Sequence, residues 1–514
     1  MQNSFLHRNA GILLHPSSLP GPYGIGEIGH TCVEFLEWCA KAGFKTWQVL
    51  PLGPTGYGDS PYQCFSGVAV NPYLISLDTL MLEGLLTKKD VANKPTFNPK
   101  KVNFGELIPW KWRMLHKAWD AYKAGQFPSL SHGFQEYKNN PMQACWLQDY
   151  CLFVALKDAH DGRPWWEWST PLRSCDASAV ASAKTLHADT IEFHAFLQFL
   201  FERQWNHIRL TAKNLGIEIV GDLPIYNAMD SSDTWANQHL FDLNEKGLPN
   251  HVAGVPPDYL SPTGQLWGNP LYLWDKLHEQ DYKLWVDRLR IGLSRADIIR
   301  LDHFRGFEAF WQVPGKDKTA VNGKWIKGPG DAFFQAMEHH LGKPLPLIGE
   351  NLGVITAEVE ELRHRYGLPG MRILQFAWGP APGSPLRPDP TNPHLTFTSP
   401  KDDVIYTGTH DNPSTADWVE NHSSKEERQL IAAYYRLKSI PSGKKAADLM
   451  MQSALESPAD LVIFPMQDLL YTGKSGRMNT PGIAAGNWEW RVEKRAFSEK
   501  LAESWRKRLA LAAR

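Results

Sequence analysis

The stretch Asp297–Asp302 (DIIRLD) decides the fold of this 514-residue chain, because it is a short apolar run that ends in a carboxylate. Two further stretches have a similar design, Leu345–Glu350 (LPLIGE) and Val404–Asp411 (VIYTGTHD). Apolar runs of this length are typical of buried parallel strands. A (β/α)₈ barrel and an open α/β sheet both place their chemistry at the carboxyl ends of such strands. We therefore expect the three terminal carboxylates to meet at one edge of a parallel sheet.

Five more apolar runs complete a set of eight strand candidates. The eight are Gly11–Leu14, Thr46–Leu50, Ile217–Asp222, Ile298–Asp302, Pro346–Gly349, Arg372–Phe376, Val404–Thr407 and Leu461–Phe464. Helical periodicity lies between most of them, for example over Thr31–Ala42, which Gly43 caps, and over Ile191–Leu215. This alternation predicts an α/β fold, a (β/α)₈ TIM barrel formed by residues 1–514 as one catalytic domain without a separate C-terminal β domain.

Two gaps between the predicted strands are too long for ordinary connections. The first, approximately residues 52–190, is rich in helix formers and Trp, and predicts a mostly helical insertion. The second, approximately residues 224–295, mixes Gly, Pro and aromatic residues. It predicts a loop-rich insertion that lines the active site.

Composition excludes some classes of partner. The chain has 54 Lys plus Arg against 55 Asp plus Glu, a net charge of −1, which argues against a nucleic-acid or anionic-membrane partner. No apolar stretch approaches the ~20 residues of a membrane span, and the start lacks the apolar segment of a signal peptide. The six cysteines are scattered, without the paired spacing of a zinc site. We expect a cytoplasmic enzyme that works in a reducing compartment.

The chemistry of the strand ends favours cleavage of a glycosidic bond. Strand alternation puts Arg300 and Asp302 on one side, where the guanidinium keeps the carboxylate ionised, as a nucleophile requires. Glu350 has little positive charge near it in sequence, so a drier setting would raise its pKa and suit a general acid. Two such carboxyls facing each other match the glycosidase mechanism, and the 21 tryptophans favour a sugar site because aromatic planes stack on sugar rings.

Two other classes of function compete with this interpretation. The adjacent pairs Asp302–His303 and His410–Asp411 could belong to a metal-dependent phosphoesterase, although neither pair has further ligands at a helical spacing. A non-catalytic glycan-binding barrel would explain the aromatic residues, but not three acids at strand ends.

Longer motifs carry a resemblance to a known family. They are Gly58–Gln63, Asn71–Leu74, Gly221–Pro224, Ala253–Tyr259, Gln265–Tyr272, Arg300–Gly306, Gly408–Asn412, Arg477–Gly482 and Gly486–Arg491. With these motifs the chain resembles, over essentially its whole length, the 4-alpha-glucanotransferases known as amylomaltases, relatives of the alpha-amylase superfamily. The resemblance implies transfer of alpha-1,4-glucan segments from a donor to the 4-hydroxyl of an acceptor glucan or glucose by a retaining double displacement.

The resemblance also implies roles for individual residues. Asp302 is the implied nucleophile, Glu350 the acid/base, and Asp411 the carboxylate that holds hydroxyls of the distorted sugar ring. The implied substrate-binding residues are Ser60, Tyr62, Asp222, Tyr259, Gln265, Trp267, Arg300, His303, His410 and Asn479. The partners implied are alpha-1,4-glucans and maltooligosaccharides, with no metal or other cofactor, and the oligomeric state is left open.

The chain departs from the family pattern beside the acid/base. The family commonly has Asp at the position of Asn351, directly after Glu350. Because an amide does not ionise, we expect a charged contact near the acid/base to be missing.

Overall fold

A computed structural model of the chain describes residues 5–257 and 261–514, and its centre is an eight-stranded parallel sheet. The strands are β1 (Asn9–Leu13), β2 (Thr46–Gln48), β3 (Glu218–Pro224), β4 (Ile298–Asp302), β5 (Leu347–Gly349), β6 (Met371–Ile373), β7 (Val404–Tyr406) and β8 (Leu461–Pro465). Each strand overlaps one of the eight predicted runs, so the predicted (β/α)₈ TIM barrel is confirmed.

The sheet curls into a barrel in the order β6-β7-β8-β1-β2-β3-β4-β5. Between its two ends, the Gly349 N–H donates to the carbonyl of Pro369 at 2.8 Å, just before β6. Two residues beyond β5, the side chain of Asn351 accepts from the N–H of Met371 at 2.8 Å. The side-chain amide of Asn351 therefore helps to join β5 to β6, where the other neighbouring strands are joined by backbone pairing.

The helices form the outer layer of the barrel and most of the first insertion. Predicted helices over Thr31–Ala42 and Ile191–Leu215 are present, and Gly43 ends the first of them with φ 91°. The α-helices are His30–Ala42, Leu77–Leu82, Lys88–Ala92, Phe104–Ala124, Pro128–Asn139, Pro141–Ala144, Leu147–Ala159, Thr170–Arg173, Ala177–Leu186, Ala188–Asn214, Ser232–Ala236, Trp274–Glu279, Lys283–Arg295, Gly330–Leu341, Ala357–Arg365, Thr415–Asp417, Lys425–Tyr434, Gly443–Glu456, Met466–Leu469 and Glu499–Leu511. Within the described residues, none of these helices is long and apolar enough to cross a membrane.

The first insertion packs on the barrel through a buried ion pair. Lys111, on the helix Phe104–Ala124, is fully buried and contacts the carboxylate of Glu27 in the segment after β1. Lys111 also donates to the carbonyl of Ile75 at 2.7 Å, and Glu27 accepts from the N–H of Leu77 at 3.1 Å. Because every partner is buried, this contact fixes the insertion against the segment that follows β1.

Part of the second insertion is strand rather than loop. His251–Val255 and Gln265–Pro270 form an antiparallel sheet with Ala309–Pro314 and Lys324–Lys327, which come after β4. A short hairpin, Pro380–Ala381 with Ser384–Pro388, follows β6. The sequence pattern did not predict the four-stranded sheet, because two of its partners lie on the far side of β4 in sequence.

Candidate active site

Parallel strands bring the three predicted carboxylates to one end of the barrel. Asp302 is the last residue of β4, Glu350 directly follows β5, and Asp411 lies five residues beyond β7. Strands β4 and β5 are paired up to Leu301 and Gly349, so the first two carboxyls leave the sheet side by side. The strand ends of an α/β barrel are the usual place for catalytic groups.

Arg300 orients Asp302, as alternation along β4 predicts. Nη2 of Arg300 lies 2.7 Å from Oδ1 of Asp302, and Nη1 donates to both carboxylate oxygens of Asp222 at 2.9 and 2.8 Å. Burial alone would lower the pKa of Arg300, but the Asp222 and Asp302 charges raise it well above its usual value. The guanidinium is therefore a permanent cation that holds Asp302 in one orientation.

Glu350 is buried next to Asp302, and its pKa is raised to about 7. Burial is the main cause, and the negative charge of Asp302 adds to it. The Arg300 charge and two backbone N–H donors oppose the shift: His303 N–H reaches Oε2, and Leu352 N–H reaches Oε1, both at 2.7 Å. A carboxyl with such a pKa is partly protonated near neutral pH and is suited to act as a general acid.

His303 connects the two carboxyls through an uncommon backbone conformation. Its φ of 55° lies in the left-handed region, and its N–H points at Glu350 while Asp302 precedes it in the chain. Burial lowers the pKa of His303 to about 4, so the ring is neutral near pH 7. Its Nε2 is buried and has no hydrogen-bond partner among the described residues, which leaves it available to a ligand.

Trp267 packs edge-on against His303, with ring centroids 4.7 Å apart. Among the described residues, the ring of Tyr226 lies 6.4 Å from that of Trp267, and Nε1 of Trp267 donates to Oε1 of Gln265 at 3.2 Å. Trp267 is only partly buried. The predicted residue Tyr259 lies outside the described residues.

Tyr62 links the first insertion to the barrel mouth. Its hydroxyl donates to Oδ2 of Asp222 at 2.7 Å, and its ring stacks on His410 at 5.0 Å with planes 16° apart. Ser60 accepts from the N–H of Tyr62 at 3.2 Å. In this structure Ser60 therefore supports the turn that carries Tyr62.

Two residues from the C-terminal part of the chain, Asn479 and Arg477, position Asp411. Asn479 Nδ2 donates to Oδ1 of Asp411 at 2.6 Å, and Nε2 of His410 lies 3.5 Å from the same oxygen. Arg477 donates to the backbone carbonyl of Asp411 at 2.8 Å. The Asp411 side chain remains 45% exposed, so it is open to a ligand in the cleft.

The side chain of Asn351 bonds to residues of the barrel framework and not to the three carboxylates. Its Nδ2 donates to Oε1 of Glu360 at 2.7 Å, while its Oδ1 accepts from the N–H of Met371. The side chain is buried. Both halves of the amide are used, so an ionised Asp would lack the donor that Glu360 requires.

The sequence interpretation missed His15, two residues beyond β1. Burial and the proximity of His410 lower the pKa of His15 to about 3, and its Nδ1 is buried with no partner among the described residues. Together with His410, Met478 and Gln467 it lines a small cavity of about 20 Å³. A polar residue at the carboxyl end of a predicted strand was the signal that could have identified it.

The side chains do not gather metal ligands in the part of the chain that the structure describes. Neither Asp302–His303 nor His410–Asp411 belongs to a group of three or more His, Cys, Asp or Glu residues that could hold a metal ion there. His303 and His410 contact aromatic rings instead, at Trp267 and Tyr62.

Comparison with known proteins gives a consistent result. A family model described as 4-alpha-glucanotransferase, of glycoside hydrolase family 77, matches residues 14–496. The chain is 45% identical over 489 residues to a 4-alpha-glucanotransferase of Thermus thermophilus, covering 95% of each chain. It is 42% identical over 486 residues to one of a Synechocystis strain, covering 94% of each.

Solved structures of amylomaltases have the same fold as this chain. An amylomaltase from Streptococcus agalactiae in complex with acarbose superposes with a TM-score of 0.92 at 32% identity, covering 99% of both chains. An amylomaltase from Corynebacterium glutamicum shares the fold, with a TM-score of 0.76 at 17% identity, covering 99% of this chain and 75% of that one.

Proposed function

We propose how the site works in this chain, which belongs to the 4-alpha-glucanotransferase family and is therefore an enzyme of glucan transfer. Asp302 attacks the anomeric carbon of a bound alpha-1,4-glucan while Glu350 gives its proton to the oxygen of the leaving glucan. The resulting glycosyl–Asp302 ester is then attacked by the 4-hydroxyl of an acceptor sugar, whose proton returns to Glu350. Two inversions at the anomeric carbon retain its configuration.

The observation that carries the proposal is the unequal environment of the two carboxyls. Asp302 has a guanidinium 2.7 Å away, whereas Glu350 is buried with a pKa raised to about 7. A carboxylate held by a guanidinium is suited to act as the nucleophile, and a buried carboxyl with a raised pKa is suited to act as the acid.

The surrounding residues provide contacts for the sugar. Asp411, positioned by Asn479, would accept hydrogen bonds from hydroxyls of the ring under attack. His303 and His410 would bind further hydroxyls, while Tyr62 and Trp267 offer aromatic surface. We propose alpha-1,4-glucans and maltooligosaccharides as the substrates, and the cytoplasm as the compartment, because all six cysteines are free thiols.

Incubation with maltotriose tests the transfer reaction. Glucose together with maltooligosaccharides longer than maltotriose is the expected product set, whereas glucose and maltose alone would indicate a hydrolase. The residue roles need a second experiment. An activated glucosyl donor with Glu350→Gln should leave a glucosyl group covalently bound at Asp302, and Asp302→Asn should prevent it. Failure to trap the ester in Glu350→Gln would contradict the proposed nucleophile.

A further inference from the structure

Trp325 is a partly exposed aromatic residue that the proposed mechanism does not use. It lies on the edge strand Lys324–Lys327 of the antiparallel sheet and keeps 38% of its surface exposed. The guanidinium carbon of Arg305 lies 3.7 Å from the centroid of its ring, so one face of the indole is covered. Trp311, its register partner on the adjacent strand, meets it edge-on at 5.1 Å. The ring is thereby fixed in one plane.

Arg305 connects this ring to both catalytic strand ends. It lies three residues after Asp302, is buried, and donates through Nη1 to the carbonyl of Val354, four residues after Glu350. Its Nε donates to the carbonyl of Ala309 at 3.4 Å. Among the residues that the structure covers, Arg305 forms no ion pair, so its contacts are these carbonyls and the indole face. The guanidinium thus ties the segments beyond β4 and β5 to Trp325.

The rest of this sheet face is covered. The loop 315–323 packs on Trp311, whose Nε1 donates to the carbonyl of Ala320 at 2.9 Å. Ala320 is buried together with Val252 and Val313. Trp325 stays exposed beside this small core, and its indole N–H makes no hydrogen bond to the described residues, unlike that of Trp311. Trp325 therefore keeps part of an apolar ring exposed, together with an indole N–H that bonds to none of the described residues.

We propose that Trp325 stacks on a sugar ring of the acceptor glucan, beyond the ring whose 4-hydroxyl reacts. The inference rests on the proposed function, because it needs a glucan that extends from the acid/base side of the cleft. A fixed aromatic plane binds at a small entropic cost, since little side-chain freedom is lost. The alternative is that Trp325 has only a structural role, in which its indole shields the guanidinium of Arg305. The two roles differ in whether acceptor length matters.

Acceptor-length dependence tests the inference. With starch as donor, the rate of labelled-acceptor elongation is measured for glucose and for maltotetraose. Trp325→Leu keeps apolar cover on Arg305 but removes the ring plane. We expect the ratio of KM for maltotetraose to KM for glucose to rise about five-fold, the order of one aromatic stacking contact. Trp325→Phe should stay within about two-fold of the unmodified enzyme, and Val321→Ala, a half-exposed residue of the covering loop, is the matched control.

Three outcomes would overturn the proposal. An unchanged ratio in Trp325→Leu would show that no sugar stacks there, and an equal rise in both KM values with a lower Tm would assign Trp325 a structural role. If Trp325→Leu does not fold, a crystal structure of the unmodified enzyme with a maltooligosaccharide decides, and a bound acceptor chain that leaves the indole uncovered contradicts the inference. Failure of the proposed function would give a different result, because the unmodified enzyme would then elongate neither glucose nor maltotetraose.

Discussion

The backbone N–H of His303 donates a 2.7 Å hydrogen bond to Oε2 of Glu350, so the residue after the proposed nucleophile holds the proposed acid. The left-handed φ of His303 makes this contact available at the end of β4. A substitution of Asp302 or Glu350 is therefore expected to alter the position of the other carboxyl through His303.

The pH dependence of activity should report Glu350. Because burial raises its pKa to about 7, the protonated fraction, and with it kcat/KM, should fall about ten-fold per pH unit above that value. A pH–rate profile with maltotriose checks this, since kcat/KM reports the free enzyme. An alkaline limb that begins only above about pH 9 would exclude Glu350 as the titrating acid.

The same pKa shift predicts a pH dependence of stability. A carboxyl whose pKa is higher in the folded than in the unfolded protein binds more protons when folded between about pH 4.5 and 7. Its contribution is therefore fully present below that window and is lost as the pH rises through it. The Tm of Glu350→Gln should vary less over this window than that of the unmodified enzyme, and an identical pH dependence would contradict the raised pKa.

Removal of the Tyr62 hydroxyl should impair catalysis without unfolding the site. Tyr62→Phe keeps the stack on His410 but deletes the hydrogen bond to Asp222, which shares Arg300 with Asp302. Because a hydrogen bond to a charged group contributes ~1.5–3 kcal/mol, kcat/KM should fall at least about ten-fold. Tyr57→Phe, on an 82% exposed ring in the same segment, is the control. Equal losses in both variants would show that the Asp222 contact is not responsible.

Trp267 should affect the partition between transfer and hydrolysis. The glycosyl ester reacts with whichever hydroxyl is positioned, and Trp267 covers His303 beside it. Trp267→Ala should lower oligosaccharide transfer about ten-fold relative to glucose release, with Tm within about 2 °C of the unmodified protein. Leu266→Ala, its neighbour on the opposite face of the strand, should change neither. Parallel loss of both activities together with Tm would assign Trp267 a packing role.

Asn351 should not tolerate a charge. In Asn351→Asp the new carboxylate would face Glu360, whose oxygen now accepts from the Asn351 amide. Like-charge repulsion and burial would raise the pKa of the new Asp, so the loss of stability should grow as the pH rises above about 4. Melting curves at pH 5 and pH 8 measure this.

A compensating variant distinguishes the cause. Asn351→Asp combined with Glu360→Gln restores a donor to the pair and should recover most of the lost Tm at pH 8. Failure to recover would mean that the charge at position 351 acts on another partner than Glu360.

The sequence was sufficient for the barrel but not for contacts between distant segments. The eight strands were visible because each is a local apolar run, and Asp302, Glu350 and Asp411 stood out because each follows such a run. The sheet that pairs His251–Val255 with Ala309–Pro314 depends on partners separated by β4, which no local periodicity reveals.

Buried polar residues illustrate the same limit. The substitution at Asn351 suggested a missing charge beside the acid/base, whereas its amide bridges Glu360 and Met371 at the junction of β5 and β6. The position of His15 after a predicted strand did not reveal its environment, because that environment is made by residues near His410, about 400 positions later. In both cases the side chain's role depends on tertiary neighbours.

The hydrogen bond between Asn479 and Asp411 has a consequence for synthesis of the enzyme. Asp302, Glu350 and Asp411 all leave the ribosome before Asn479 does, yet Asp411 has its amide partner only afterwards. A nascent chain released early would carry the proposed nucleophile and the proposed acid without the amide that positions the third carboxylate. Premature termination before Asn479 should therefore yield polypeptides in which the side chain of Asp411 lacks this amide partner.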